Sequence, residues 1–187
     1  MYSEATIAAV LAAVALILRE QGKAAAAAPA RPPAPAAAPL SMLARVRAAI
    51  RVYEPRELQA GFIEAIGRVE TDDFTSDALK QTNSFTSRHA GSGRGYWTGN
   101  TYVTAANEEL RIYVSLEQCA QDFVQSLLQD GLYKTAKLYY EAGQSDKFFA
   151  AIVYGDGRQG YVGNPKSQKA LNYETALKRR YRQVVSS

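Results

Sequence analysis

The sequence holds one cysteine, Cys119, and one histidine, His89, among 187 residues. That excludes a disulfide framework and a four-ligand Cys/His zinc site, and leaves little material for a histidine-dependent triad. No metal site and no cofactor are expected. Charge is also scarce: charged residues make up 21% of the chain and the formal net charge is +4, so neither an acidic nor a basic disordered polymer fits. Proline is rare outside one tract, with five of the seven prolines falling between residues 24 and 39. The amino-terminal apolar run, Ala5 to Leu18, stops at fourteen residues, short of the roughly 20 that a spanning helix comfortably uses. What the chain does have is core-forming material. It is 47% apolar, with 12 Tyr, 6 Phe and 1 Trp, enough for one globular domain with an appendage.

Composition divides the chain into three parts. Residues 1–23 carry the apolar run closed by Arg19 and Glu20, and three readings fit it: a retained membrane anchor using residues 2–18, a secretory signal, or a helix buried in an assembly. The anchor is the expectation, because Glu4 is the only charge ahead of the run and no clear cleavage motif follows it. The span would require a thinned bilayer. Arg19, Lys23 and Arg31 all follow the run, and the positive-inside tendency would put the remainder in the cytoplasm unless this weak bias is overridden. Residues 24–40 form an Ala/Pro-rich linker of semi-extended, polyproline-like character.

Residues 41–187 are expected to be the folded domain, mainly α (α+β), with a small β hairpin. Ser41 can cap a helix to about Tyr53, and Pro55 suits the first turn of a second, on which Leu58, Phe62, Ile66 and Val69 make one apolar face. A short helix is expected over Ser76 to Gln81. Ser115 and Gln118 form a capping-box signal ahead of a stripe of Leu116, Cys119, Phe123 and Leu127. Further helices are expected from Tyr133 to Ala142, Asp146 to Val153, and from Pro165, capped by Asn164, to about Val184. Between Gly99 and Val114 the β-branched alternation predicts a hairpin turning near Ala105 to Glu108.

Glu70 is the candidate general acid. It ends the second helix beside Val69 and four residues after Ile66, at the edge of the apolar stripe, where loss of hydration would raise its pKa toward the working range of an acid catalyst.

Five short motifs follow one another from this point: Glu70-Thr71; Thr82-Asn83-Ser84-Phe85-Thr86-Ser87-Arg88; Trp97-Thr98-Gly99; Leu110-Arg111-Ile112-Tyr113-Val114-Ser115; and Gly160-Tyr161-Val162-Gly163-Asn164-Pro165. This series resembles the glucosaminidase domain of bacterial autolysins and of the flagellar rod-associated peptidoglycan hydrolase. That family reads helix-Glu-Ser, Asn-Asn-Leu-Phe-Gly-Ile-Lys, Trp-x-Gly, Phe-Arg-x-Tyr-x-Ser and Gly-Tyr-Ala-Thr-Asp-Pro in the same order and at similar spacing. The resemblance covers about residues 56 to 182. Ser84 and Thr86 depart from it, standing where the family has Leu and Gly.

The resemblance implies a lysozyme-like helical domain acting on β-1,4 bonds of the peptidoglycan glycan strand, on the reducing side of N-acetylglucosamine, with Glu70 protonating the leaving oxygen. Tyr161 would line the cleft near the acid, Asn83 and Phe85 would shape its floor, and Trp97 would offer a face for sugar stacking. Family members often place a second carboxylate in the hairpin. Here Glu108 and Glu109 near its turn are the local substitutes, with Asp72 and Asp73 as alternatives by proximity, and a substrate acetamido group can take that role in some glycosidases. A muramidase or lytic transglycosylase on the same frame fits the same residues, as does a non-catalytic wall-binding or structural component of an envelope or virion. The expected setting is a membrane-anchored protein facing the cell wall, in a bacterial envelope or in the membrane of a bacteriophage virion.

The remaining features fit this picture without adding chemistry. Cys119 sits inside an apolar stripe and is expected to be buried, and His89 is expected to be exposed. Gly91 to Gly95 lacks the Lys-Ser/Thr ending of a phosphate loop. Residues 166–182 hold six basic residues against Glu174 alone. Attraction to the anionic wall or to lipid head groups explains them, and nucleic acid is not an expected partner.

Overall fold

A computed structural model describes residues 40–90, 95–129, 133–155 and 167–187. The expected anchor (1–23), all of the linker but Leu40, the loop from Gly91 to Arg94, and Tyr161 with its surrounding motif lie outside the described residues. Among the described residues no helix is long and apolar enough to cross a membrane.

Helix α1 (Met42–Tyr53) starts where the sequence predicts, with the Ser41 hydroxyl accepting from Ala44 N–H at 3.2 Å, and buries Val46, Ala49 and Ile50. It ends before Pro55, which disfavours helical backbone at the preceding residue. Helix α2 (Glu57–Glu70) begins two residues later than Pro55, so that proline precedes the first turn instead of lying in it. The cause is Glu54. Its buried carboxylate accepts from the Arg56 backbone N–H at 3.0 Å and from the Arg56 guanidinium at 2.8 and 2.7 Å, which holds Arg56 extended and outside the helix.

The predicted stripe on α2 is narrower than the surface it buries. Phe62 and Ile66 are fully buried as expected, but so are Ile63 and Ala65, while Leu58 is 43% exposed and Val69 half-buried. The helix is enclosed by α1 and by the last helix of the chain. Around Phe62 an aromatic cluster forms, with ring centroids of Phe148 at 5.1 Å, Tyr181 at 5.0 Å and Phe149 at 5.7 Å. Each such pair adds about 0.5–1.5 kcal/mol beyond the area it buries.

Helix α3 (Asp77–Thr82) is capped by Ser76, and Asn83 closes it in left-handed conformation. Strands β1 (Thr101–Val103) and β2 (Glu109–Arg111) then form the expected antiparallel hairpin, in the register Thr101↔Arg111, Tyr102↔Leu110 and Val103↔Glu109. Helix α4 (Leu116–Gln129) follows. The Ser115 hydroxyl accepts from Gln118 N–H at 3.3 Å, and the Gln118 side chain accepts from Val114 N–H at 2.7 Å, one residue earlier than in the standard capping box. Cys119 is fully buried on α4, and burial pushes its thiol up to about 11.

Helices α5 (Lys134–Glu141), α6 (Ser145–Tyr154) and α7 (Gln168–Val185) complete the domain. Helix α7 starts later than the sequence suggested: Ser167 is its cap, accepting from Ala170 N–H at 3.1 Å. Asn164 and Pro165 lie outside the described residues. The described architecture is thus mainly helical with one small two-stranded sheet, and the core lies between α2 and the helices that surround it.

Close packing at the carboxyl end of α2 depends on Gly67. A methyl added there would stand 2.8 Å from Phe74 Cε1 and 3.2 Å from Phe85 Cδ2. Alanine is the better helix former by roughly 0.5–1 kcal/mol, but overpacking costs about 1–3 kcal/mol. Gly67→Ala is therefore expected to lose about 1–2 kcal/mol of stability, read as a lower urea midpoint.

Candidate active site

Glu70 is the last residue of α2, and the backbone beyond it turns left-handed for three consecutive residues, Asp72 (φ 49°), Asp73 (φ 55°) and Phe74 (φ 66°). None is glycine, so this turn carries about 1–3 kcal/mol of strain per residue and must be held from outside. Several contacts hold it. The Thr71 hydroxyl donates to Gly67 C=O at 2.6 Å and accepts from Phe74 N–H at 3.2 Å, while the Phe74 ring is buried. The Asp73 carboxylate receives Arg68 at 3.4 Å and Arg180 from α7 at 2.5 Å. Asp73, an alternative second carboxylate by sequence, is thus committed to two guanidinium groups. Asp72 is exposed.

The Glu70 carboxyl is half-buried and faces three other elements. The Tyr173 hydroxyl, from α7, donates to Oε1. The Ser87 hydroxyl, from the loop after α3, donates to the Glu70 carbonyl at 3.4 Å. Burial pushes the carboxyl up to about 7; the hydrogen bonds from Tyr173 and Ser87 pull against this, the charge of Glu108 adds to the rise, and Lys169 opposes it. Such a group exchanges a proton near neutrality.

The other residues singled out by sequence are spread more widely. Glu108 is exposed at the hairpin turn, where its N–H donates to the Thr104 hydroxyl at 3.1 Å, and its charge acts on Glu70. Glu109 is exposed on β2 opposite Val103. Asn83 spends its amide on the chain itself, donating to Tyr113 C=O at 3.0 Å and Val114 C=O at 3.4 Å. It also lines a shallow cavity of about 250 Å³ with Leu40, Arg45, Val114 and Glu117, a cavity whose lining does not include Glu70. Phe85, expected on the cleft floor, is fully buried and packs close to Gly67. Trp97 is half-buried with the Arg111 guanidinium 5.2 Å from its ring centroid, so one face of the indole is occupied. Tyr161 lies outside the described residues.

Two features escaped the sequence reading. Tyr173 supplies the hydroxyl at Glu70; its spacing from buried Ala170, Leu177 and Tyr181 places it toward the inner side of α7, but its partner is 103 residues away. The second is Asp122, fully buried on α4. It accepts from Tyr113 Oη at 2.6 Å, from Arg111 Nη1 at 3.0 Å, from Arg88 Nη1 at 3.3 Å and from Tyr96 N–H at 2.7 Å. Arg111 and Tyr113 of the fourth motif thus meet on one carboxylate, and Ser115 of the same motif caps α4. In this chain that motif joins the hairpin to α4.

No protein-family model, curated protein or solved structure matches the chain.

Two outcomes follow from these charges. The folded state holds the Glu70 proton to about pH 7, whereas the ordinary carboxyl releases it near 4.5. More protons are then bound in the folded state, so stability falls as pH rises through that window. Glu70→Gln removes the titrating group and flattens the slope. At about pH 8 the variant is expected to exceed the wild type by up to ~3 kcal/mol, compared by urea denaturation with a measurement near pH 4. Asp122→Asn would leave Arg88 and Arg111 buried without their counter-charge, and a loss of about 3–5 kcal/mol is expected in the same assay.

Proposed function

We propose that this chain is a peptidoglycan hydrolase of the N-acetylglucosaminidase type, with a lysozyme-like fold, in which Glu70 is the general acid. The observation that carries the proposal is the environment of Glu70. A carboxyl ends a buried helix, is held by a tyrosine hydroxyl, and keeps its proton to about pH 7. The order of motifs around it supports the same reading. Protonated Glu70 gives its proton to the glycosidic oxygen as the C1–O bond breaks, and the bonding electron pair leaves with that oxygen. The positive charge developing at C1 is favoured by the Glu70 carboxylate left behind and by nearby Glu108, before water or the substrate's acetamido oxygen reaches C1. The sugar face left to Trp97 is the indole side away from Arg111. Residues 2–18 would anchor the enzyme in a bilayer and the Ala/Pro linker would give it reach, for local opening of the cell wall.

A lytic transglycosylase is favoured as the second reading by one specific observation. Glu108 is exposed, whereas Glu70 is the half-buried acid, and transglycosylation needs one such group to protonate the leaving oxygen and then accept the proton of the sugar's own C6 hydroxyl.

Digestion of purified peptidoglycan by the full chain, wild type beside Glu70→Gln, tests the proposal through mass spectrometry of released fragments. The wild type is expected to release reducing N-acetylglucosamine ends, with a rate that falls as pH rises through about 7, and the variant to be slower by about 10²–10⁴-fold. Reducing N-acetylmuramic acid ends identify a muramidase, and anhydro ends a transglycosylase. A folded wild type that releases nothing overturns the enzyme proposal and leaves a wall-binding or structural role.

A further inference from the structure

We propose that Tyr173 is a positioning residue that directs the acid proton of Glu70 to a single oxygen, Oε2. The proposal rests on the reading of Glu70 as general acid and adds to it the group that orients the acid.

A carboxylic acid has two oxygens, and an acid catalyst works only when the proton sits on the one that faces the leaving group. A phenol has one proton to donate, and the Tyr173 hydroxyl donates its proton to Oε1. An oxygen that accepts this bond keeps carbonyl character in the protonated acid, so the transferable proton resides on Oε2. When that proton passes to the glycosidic oxygen, negative charge spreads over both carboxyl oxygens. The bond from Tyr173 strengthens as Oε1 gains its share, so it acts more on the transition state than on the resting acid.

The placement of Tyr173 is built into the fold. Ala170, Leu177 and Tyr181 bury the same helix on either side of it, and α7 is a principal neighbour of α2. About two turns further on, Arg180 binds Asp73 at 2.5 Å, within the left-handed turn that follows Glu70. A single helix therefore holds Glu70 at its carboxyl and, through the Asp73 side chain, the turn just beyond it. The adjacent Glu174 is engaged elsewhere, by the Tyr154 hydroxyl at 2.6 Å and by Lys178 at 2.6 Å. Among the described residues, the groups that act on the Glu70 carboxyl are Tyr173 and Lys169 from α7, Ser87 from the loop after α3, and Glu108 from the hairpin turn. Tyr173→Phe leaves the other three in place and keeps the ring.

The test pairs two measurements on full-length Tyr173→Phe, checked for folding by circular dichroism. Carboxyl-carbon NMR, with the Glu70 resonance assigned by its absence in Glu70→Gln, follows titration without substrate. Loss of the donor destabilises the carboxylate, so the Glu70 midpoint is expected to rise by roughly half to one pH unit. The pH–rate profile on peptidoglycan is expected to show its alkaline limb moved the same way, with kcat lower by roughly tenfold and KM unchanged. A folded variant in which Glu70 titrates as in the wild type overturns the assignment, whatever its activity. A shifted titration in a protein whose wild type digests nothing upholds the hydrogen bond's control of Glu70 and overturns only the glycosidase reading.

Discussion

Helix α2 is walled in by its neighbours from Gln59 to Gly67, and much else about the domain follows from where that enclosure stops. Within the wall the helix needs residues that pack closely: Ile63, Ala65 and Ile66 against its neighbours, Phe62 in the ring cluster, and Gly67 where Phe74 and Phe85 press against the backbone. The next residues are Arg68, Val69 and Glu70, all half-buried. The helix thus leaves the core gradually, and a carboxylate is carried into a place where water reaches it only in part. A helix ending one turn earlier would have a hydrated glutamate at that position, with nothing to hold its proton.

The treatment of buried acids elsewhere in the domain sets Glu70 apart. Glu64 accepts both Arg47 and Arg68, with contacts of 2.8 Å from each. Asp122 accepts Arg88 and Arg111. Glu54 is buried, which by itself would raise its pKa, yet the hydrogen bonds from Arg56 and Tyr140 outweigh burial and hold the carboxyl below its ordinary value. Each of these carboxylates meets at least one guanidinium at close range, which fixes the charged form and ties two or three elements together. Paired charges of this kind serve geometry more dependably than net stability. Glu70 receives a phenol instead. A neutral donor orients the group without supplying the positive charge that would force it to ionise.

Most of the element plan was legible in the sequence because local chemistry decides it. Ser41 caps the helix its position suggested, a short helix forms one residue along from the expected Ser76 to Gln81, the hairpin forms between Gly99 and Val114, and Cys119 is buried on its stripe. What was not legible depends on partners distant in sequence. The stripe on α2 was read from the apolar spacing of one helix, whereas Leu58 is left partly exposed and Ile63 is covered because of where neighbouring helices lie. Pro55 fell outside its helix because a glutamate side chain captured the following residue. Glu70 could be found, since its place at the edge of an apolar stripe is a local property. Tyr173 could not, because nothing in a tyrosine on a basic amphipathic helix names a carboxylate 103 residues away as its partner. The Leu110–Ser115 motif was visible as a pattern, but its joint on Asp122 required the fold.

Trp97 is the single tryptophan of the chain. Its indole packs against the core with a buried guanidinium across one face, at the point where the loop before the hairpin, β2 and α4 are joined through Asp122. The tryptophan emission of this protein therefore originates from one structural joint, and the cation lying over the ring makes its intensity and colour sensitive to any loosening there. The chain carries its own optical gauge of whether the hairpin bearing Glu108 is seated on the helical body.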